Sequence, residues 1–233
     1  MLFFRLFQSG ASVSEILISV LALFLAATIA IVMHEYAHGY VAMKQGDYTA
    51  KSAGRLTLNP VAHFDLFGVL MLLLVGFGWA RPVPINPNNF RNYKKGMISV
   101  SIAGVLTNII LAGIGLLLLY FLSPFIRHYY VTTPAIIIML KMLAYYFLLY
   151  LVSINLMLAF FNILPIYPLD GFKLLDVFLK PGNKYSAFMY RYGIYMLLFL
   201  LVAGRLFRSL NLWFLDIFGM MANLITRLIF LVA

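Results

Sequence analysis

Between Met97 and Ile126 the chain carries no charged residue, and between Met142 and Leu169 it again carries none. A bilayer core takes roughly 20 apolar residues of helix to cross, so each run is long enough to span one. Tyr185 to Gly204 contains only Arg191, and Leu210 to Ala233, interrupted by Asp216 and Arg227, is the weakest of the set. At the N-terminus Arg5 is a meagre basic region and Glu15 interrupts it. The apolar run Ile16 to Met33 already exceeds the roughly 7–15 residues of a signal-peptide core, so the sequence predicts an uncleaved membrane helix that continues through His38. Only 10% of the 233 residues are charged and 64% are hydrophobic; soluble domains carry about 25% charged residues. The expected fold is an all-α polytopic membrane protein with about five to six transmembrane helices. The polar gaps 44–60, 81–96 and 170–186 are too short for a further domain, so residues 1–233 read as a single integral-membrane domain.

The charge balance and the cysteines narrow the function. The net charge is +10, but the basic residues sit in the gaps between apolar runs. That placement points to membrane lipid and topology and away from nucleic acid. There is no cysteine, hence no disulfide framework and no thiolate chemistry. Leu66 to Ala80 is shorter than the roughly 17–25 residues of a spanning helix. It carries Gly68, Gly76 and Gly78 and leads into Arg81-Pro82-Val83-Pro84-Ile85-Asn86, an edge-strand composition. The region near residues 61–90 is therefore expected to hold a re-entrant or β-hairpin element, or a short span.

One apolar run ends in groups that prefer water, a proton or a metal. "IVMHEYAHGY", residues 31–40, contains His34-Glu35-Tyr36-Ala37-His38, an H-E-x-x-H pattern. On a helix, positions i and i+4 share a face one turn apart. Two imidazoles so placed suit one tetrahedral zinc, with Glu35 beside the water in an open position. Ionisable groups within a bilayer are costly and by default mark function. A zinc of this kind needs a third protein ligand, and the chain has seven acids and four histidines to choose from. Glu15 lies at the far end of the first helix. Asp47 follows His38 by nine residues and is expected to face solvent. His63 and Asp65 precede the short run and are expected to cap it. Asp176 and Asp216 have no companion motif, and His128 reads as interfacial. Asp170 stands in "FNILPIYPLDG", residues 161–171, where Pro165 and Pro168 stop a helix and Gly171 lets the chain turn. Broken backbone at membrane depth survives only where it is buried in protein or lines a wet cavity.

"HEYAH" closing one membrane helix and "NLMLAFFNILPIYPLDG" closing a later one resemble the site-2 protease family of intramembrane zinc metalloproteases, which pairs H-E-x-x-H with an N-x-x-P-x-x-P-x-D-G-like motif. The match runs from about Ile16 to Lys173. The resemblance implies that His34, His38 and Asp170 hold one Zn2+ per chain, that Glu35 is the catalytic base and that Asn162 matches the asparagine of the second motif. "GWARPVPINPNNF", residues 78–90, resembles a segment of compact family members. Val105 stands where a proline is common, and Phe172 where a second glycine is frequent. PDZ and CBS domains are not seen.

The expected activity is hydrolysis of a peptide bond in or near transmembrane segments of membrane proteins, with Glu35 taking the proton of a zinc-activated water. Asn162 is the candidate donor to the oxyanion, whereas Asn155 and Asn108 are expected to hydrogen-bond between helices. Arg81 to Asn86 is the candidate edge for holding an extended substrate. Alternatives are an inactive client-binding homologue and a metal transporter. The first would be expected to lose Glu35 or a ligand, and the second to show repeated half-sites; neither sign is present. Lys44, Lys51 and Arg55 place the end of the H-E-x-x-H helix in the cytoplasm, and Lys173, Lys180, Lys184 and Arg191 place Asp170 there too. The protein is thus expected in a bacterial cytoplasmic membrane with its site towards the cytoplasm. Helices 97–123 and about 136–163 leave and return. Leu66 to Ala80 must then enter and leave on one face, or His34 and Asp170 would be separated by the membrane.

Overall fold

The computed structural model describes residues 11–75, 78–128, 133–209 and 216–232. In chain order its helices are α1 (Val13–Lys44), α2 (Leu66–Val75), α3 (Tyr93–Arg127), α4 (Ala135–Ile163), α5 (Asp170–Asp176), α6 (Lys184–Ser209) and α7 (Ile217–Val232), with a single helical turn at Thr49–Ser52. No β-ladder forms among the described residues. Helices α1, α3, α4 and α6 are long and apolar enough to cross a membrane. Helix α7 is apolar but shorter, its 16 residues rising about 24 Å at 1.5 Å per residue. The all-α polytopic architecture is the one the charge-free runs require.

Glu15, the one acid in the first apolar stretch, is explained by the helix start. Ser12 accepts the Glu15 N–H, and Glu15 Oε2 accepts the Ser12 N–H at 2.7 Å, a reciprocal cap. Such caps stabilise a helix by about 1 kcal/mol. Along α1, Val13, Leu17, Leu21, Leu25 and Ile29 are exposed, while Ala22, Ala26 and Ala30 are fully buried. Both sets repeat every four residues, so one stripe faces lipid and the other faces protein. Lipid tails are as apolar as leucine, so helices associate in a bilayer through close packing of small residues. The alanine stripe lets α3 and α4 approach α1, and Ser19 bonds the Tyr150 hydroxyl of α4 at 2.7 Å. A membrane interhelical hydrogen bond contributes only about 0.6 kcal/mol, so packing carries the association. The three helices form the frame that holds the site.

The two flanks of α2 meet at one place. Asp65 Oδ1 accepts the Gly68 N–H at 2.9 Å and caps the helix, as expected. Ten residues rise about 15 Å, half a bilayer core. The two ends then meet: Phe64 and Ala80 form an isolated antiparallel bridge, and the Arg81 N–H donates to the His63 carbonyl at 2.9 Å. Gly68 permits this return, because a Cβ there would stand 1.9 Å from the Trp79 carbonyl oxygen. Among the described residues the element is a short helix whose two flanks meet, and no β-hairpin forms.

Asp47 corrects an expectation. It does not face solvent but is fully buried. Helix α1 stops at Lys44, and Gly46, at φ 109°, turns the chain back. The Asp47 carboxylate then receives the Asn86 N–H at 2.7 Å, the Asn89 amide at 2.8 Å and the Thr49 N–H at 3.1 Å. Arg55 Nη2 donates to the carbonyls of Arg81 at 2.7 Å and Pro82 at 3.2 Å. The proline-rich segment 81–86 is thereby moored along the end of α1.

Candidate metal centre

His34 and His38 lie one turn apart on the protein-facing side of α1, 8% and 6% exposed. Their Nε2 atoms are 3.0 Å from each other. Asp170 arrives from 132 residues further along. Helix α4 ends at Ile163, a loop through Pro165 and Pro168 follows, and Asp170 opens α5. Gly171 is what lets α5 start so close to the end of α4, since a Cβ there would lie 2.1 Å from the Ile163 carbonyl oxygen. Ile166, Leu169 and Phe172 pack with Met189 and Leu197 of α6 beneath the break. Asp170 Oδ2 ends 3.0 Å from His38 Nε2 and 3.4 Å from His34 Nε2. Its Oδ1 is held by Lys173 Nζ at 2.9 Å, so one carboxylate oxygen is turned to the histidines and the other away.

These three side chains form a group able to hold one metal ion among the described residues. His38 Nδ1 faces the Val100 carbonyl at 2.8 Å, and His34 Nδ1 faces Asn108 Oδ1 at 2.6 Å. A proton on Nδ1 of each ring, which the Val100 carbonyl requires of a neutral His38, leaves two Nε2 lone pairs to converge with a carboxylate oxygen. Asp170 Oδ2 is buried without a hydrogen-bond donor. Three acceptors crowded in a dry site are unfavourable unless a cation joins them. Ligands 2.0–2.2 Å from one tetrahedral zinc lie about 3.3–3.5 Å apart, close to the spacings seen. The donor set, two imidazole nitrogens and one carboxylate oxygen, suits Zn2+ and leaves a fourth position open.

Glu35, between the two histidines and half-buried, turns to the moored segment, where its Oε2 accepts the Val83 N–H at 2.8 Å. Gly39, just past His38, gives the Val83 side chain room at 3.1 Å from where its own Cβ would stand. The amide of Asn162 donates to the Leu158 carbonyl of its own helix at 3.0 Å. The other acids and histidines have separate work. His63 Nε2 donates to the Thr57 carbonyl at 2.8 Å, Asp176 accepts the Tyr190 hydroxyl at 2.9 Å, and Asp216 caps α7 through the Gly219 N–H at 3.0 Å.

The model of peptidase family M50 matches residues 22–203, which includes every member of this group. The chain belongs to peptidase family M50. This M50 chain is 39% identical over 181 residues to "Putative zinc metalloprotease YwhC" of Bacillus subtilis, covering 74% of the chain and 77% of that relative. It is 28% identical over 203 residues to "Putative zinc metalloprotease Rip2" of Mycolicibacterium smegmatis, covering 83% of the chain and 73% of that relative. No solved structure matches it. Membership makes it an intramembrane zinc metalloprotease, an integral membrane protein whose substrates are membrane proteins.

Three residues of the M50 site escape the sequence reading. Gly104 of α3 faces the rings so closely that a Cβ there would stand 2.4 Å from His34 Cε1 and 2.5 Å from His38 Nε2. Its only sequence signal is a glycine inside an apolar helix, where glycine costs about 1 kcal/mol and implies a packing reason. Asn108 bonds Asn155 at 2.8 Å as expected between helices, but it also holds His34. Val83 presents its N–H to Glu35, and nothing local to "RPVPIN" marks that partner.

Proposed function

We propose that His34, His38 and Asp170 ligate one Zn2+ and that Glu35 is the general base for hydrolysis of a peptide bond in or near a transmembrane segment of a membrane protein. We place the site at the cytoplasmic face of a bacterial plasma membrane, with the chain acting as a single catalytic domain among membrane lipids. The observation that carries the reading is the convergence of two imidazole nitrogens with a buried carboxylate oxygen that has no hydrogen-bond partner, all within one group. When bound, zinc polarises the scissile carbonyl and brings the pKa of a water towards neutrality. Glu35 is anchored at Oε2 by Val83, which leaves Oε1 to take the proton of the attacking water and to return it to the leaving amine. Lys173 holds Asp170 Oδ1, so Oδ2 alone is offered as a ligand. Asn162, once its amide leaves the Leu158 carbonyl, is the donor we assign to the developing oxyanion.

Segment 81–86 supports binding of an unwound substrate. An extended residue directs its N–H and C=O to the same side, and neighbours alternate. One side is largely used, because Pro82 and Pro84 have no N–H, Arg55 takes the Pro82 carbonyl and Asp47 takes the Asn86 N–H; on the other side Arg55 also takes the Arg81 carbonyl. On the Glu35 side, the Val83 carbonyl and the Ile85 N–H and carbonyl have no hydrogen-bond partner among the described residues. These groups offer a short one-sided template for β-augmentation beside the base.

Elemental analysis of purified protein is expected to give close to one equivalent of zinc. His34→Ala and Asp170→Ala lose it, whereas Glu35→Gln keeps the metal and cleaves no model transmembrane substrate. Full zinc in the ligand variants would overturn the assignment.

A further inference from the structure

His38 and His34 reach the same protonation by different routes. A neutral imidazole carries one proton, and a ligating nitrogen must be the bare one. His38 Nδ1 faces the Val100 carbonyl, which can only accept, so its proton is fixed on Nδ1. His34 Nδ1 faces a side-chain amide, that of Asn108, which presents an acceptor or a donor according to which way round it stands. Reversed, the Asn108 NH2 would face Nδ1, move the proton to Nε2 and remove a ligand.

The far end of Asn108 settles the choice. Its Nδ2 donates to Asn155 Oδ1 at 2.8 Å, and Asn155 Nδ2 donates to the Leu151 carbonyl at 2.7 Å. The Leu151 carbonyl cannot donate. Asn155 must therefore turn its NH2 to Leu151 and its oxygen to Asn108. Asn108 must answer with its own NH2, which leaves its oxygen for His34. Both asparagines are fully buried, so reversal would strand donor against donor and acceptor against acceptor with no water to relieve them.

We propose that Asn155 of α4 is a positioning residue for the metal: it polarises Asn108, and through Asn108 it holds His34 in the tautomer whose Nε2 is bare. This rests on the assignment of His34 as a ligand. It differs from a simple interhelical tie, in which Asn155 would affect packing of α3 on α4 but not zinc.

The test measures Zn2+ affinity of the purified, detergent-solubilised full chain by competition with a chromogenic chelator. Helical content and elution volume serve as controls for folding. Outer partners of metal-bound histidines are typically worth about 10–100-fold in affinity. Asn108→Leu and Asn155→Leu are each expected to weaken zinc within that range. The double variant Asn108→Leu/Asn155→Leu is expected to be no weaker than Asn108→Leu, because Asn155 acts only through Asn108. A carboxylate accepts at either oxygen and needs no orienting, so Asn108→Asp is expected to restore affinity in the Asn155→Leu background. Asn155→Ala, which deletes the amide without overfilling the site, carries the same expectation if leucine is not accommodated. Wild-type affinity in folded Asn155→Leu and Asn155→Ala, losses that multiply in the double variant, or no rescue by aspartate would each overturn the proposal. His34→Ala separates the two readings. If it loses zinc while Asn155→Leu does not, the ligand assignment stands and the relay falls; if it keeps zinc, the ligand assignment itself falls.

Discussion

Replacing one hydrogen at Gly104 should dismantle the metal site. The Cβ of Gly104→Ala would stand 2.4 Å from His34 Cε1, 2.5 Å from His38 Nε2 and 2.7 Å from His34 Nδ1. Carbon contacts are comfortable at about 3.5–4.0 Å, so the rings or α3 must yield by about 1 Å. A functional metal site tolerates ligand displacements of about 0.2 Å. Neither ring has a free direction of retreat, because His34 is held by Asn108 and His38 by the Val100 carbonyl, both on the same helix as Gly104. Moving α3 away carries those partners with it. A misplacement of about 1 Å in a catalytic constellation costs on the order of 10²-fold, and overfilling a packed core costs about 1–3 kcal/mol. Gly104→Ala is therefore expected to lose zinc in competition with a chelator, to cleave a model transmembrane substrate at most about 10⁻² as fast as wild type, and to melt at lower temperature. Gly113→Ala on the same helix is the control, since nothing lies within 4 Å of its Cβ position; it should keep both metal and rate. Wild-type zinc affinity in Gly104→Ala would show that the rings are not confined as the packing requires.

Asn162→Ala is expected to slow cleavage by about 10²–10³, the usual worth of one oxyanion donor, with zinc retained; an unchanged rate with full metal would leave Asn162 a packing residue. Burial alone would raise the Asp47 carboxyl, but hydrogen bonds from Thr49, Asn89 and Asn86 more than reverse this and hold it below its ordinary value of 3.8. Its contribution to stability is present above that value and is lost as pH falls through the depressed one. Thermal unfolding should thus lose stability at acid pH less steeply in Asp47→Asn than in wild type, and equal slopes would refute the role of the carboxylate. The absence of natural cysteine allows a test of topology: Asn59→Cys, Asn88→Cys and Lys180→Cys should all react with a membrane-impermeant thiol reagent only from the cytoplasmic side. Labelling of Asn88→Cys from outside with Asn59→Cys inside would contradict the shared face.

What the sequence determined by itself was local or nearly so. Charge-free runs dictate membrane helices because hydrocarbon offers the backbone no other partner. His34 and His38 share a face because they are four apart on a helix, whatever surrounds them. The prolines around Asp170 break a helix without outside help. Counting crossings predicts that 66–80 enters and leaves on one face, and Phe64 and Ala80 at its two ends do meet. Other features depended on which surfaces face each other once the helices pack. His34 meets Asn108 across 74 positions of sequence and His38 meets Val100 across 62, and no local rule encodes either partner. Gly104 is a helix-weakening residue in the sequence and a necessity only when two imidazoles press against it. Asp47 looked like a solvated charge because its position past the helix end says nothing of the chain that returns over it; Gly46 turns it inward, and the N–H of Asn86 and the amide of Asn89 meet it there. Ligand types are legible in a sequence because metals select atoms. Their orientation is decided by packing, because each bare lone pair depends on a hydrogen bond made on the opposite side of the ring.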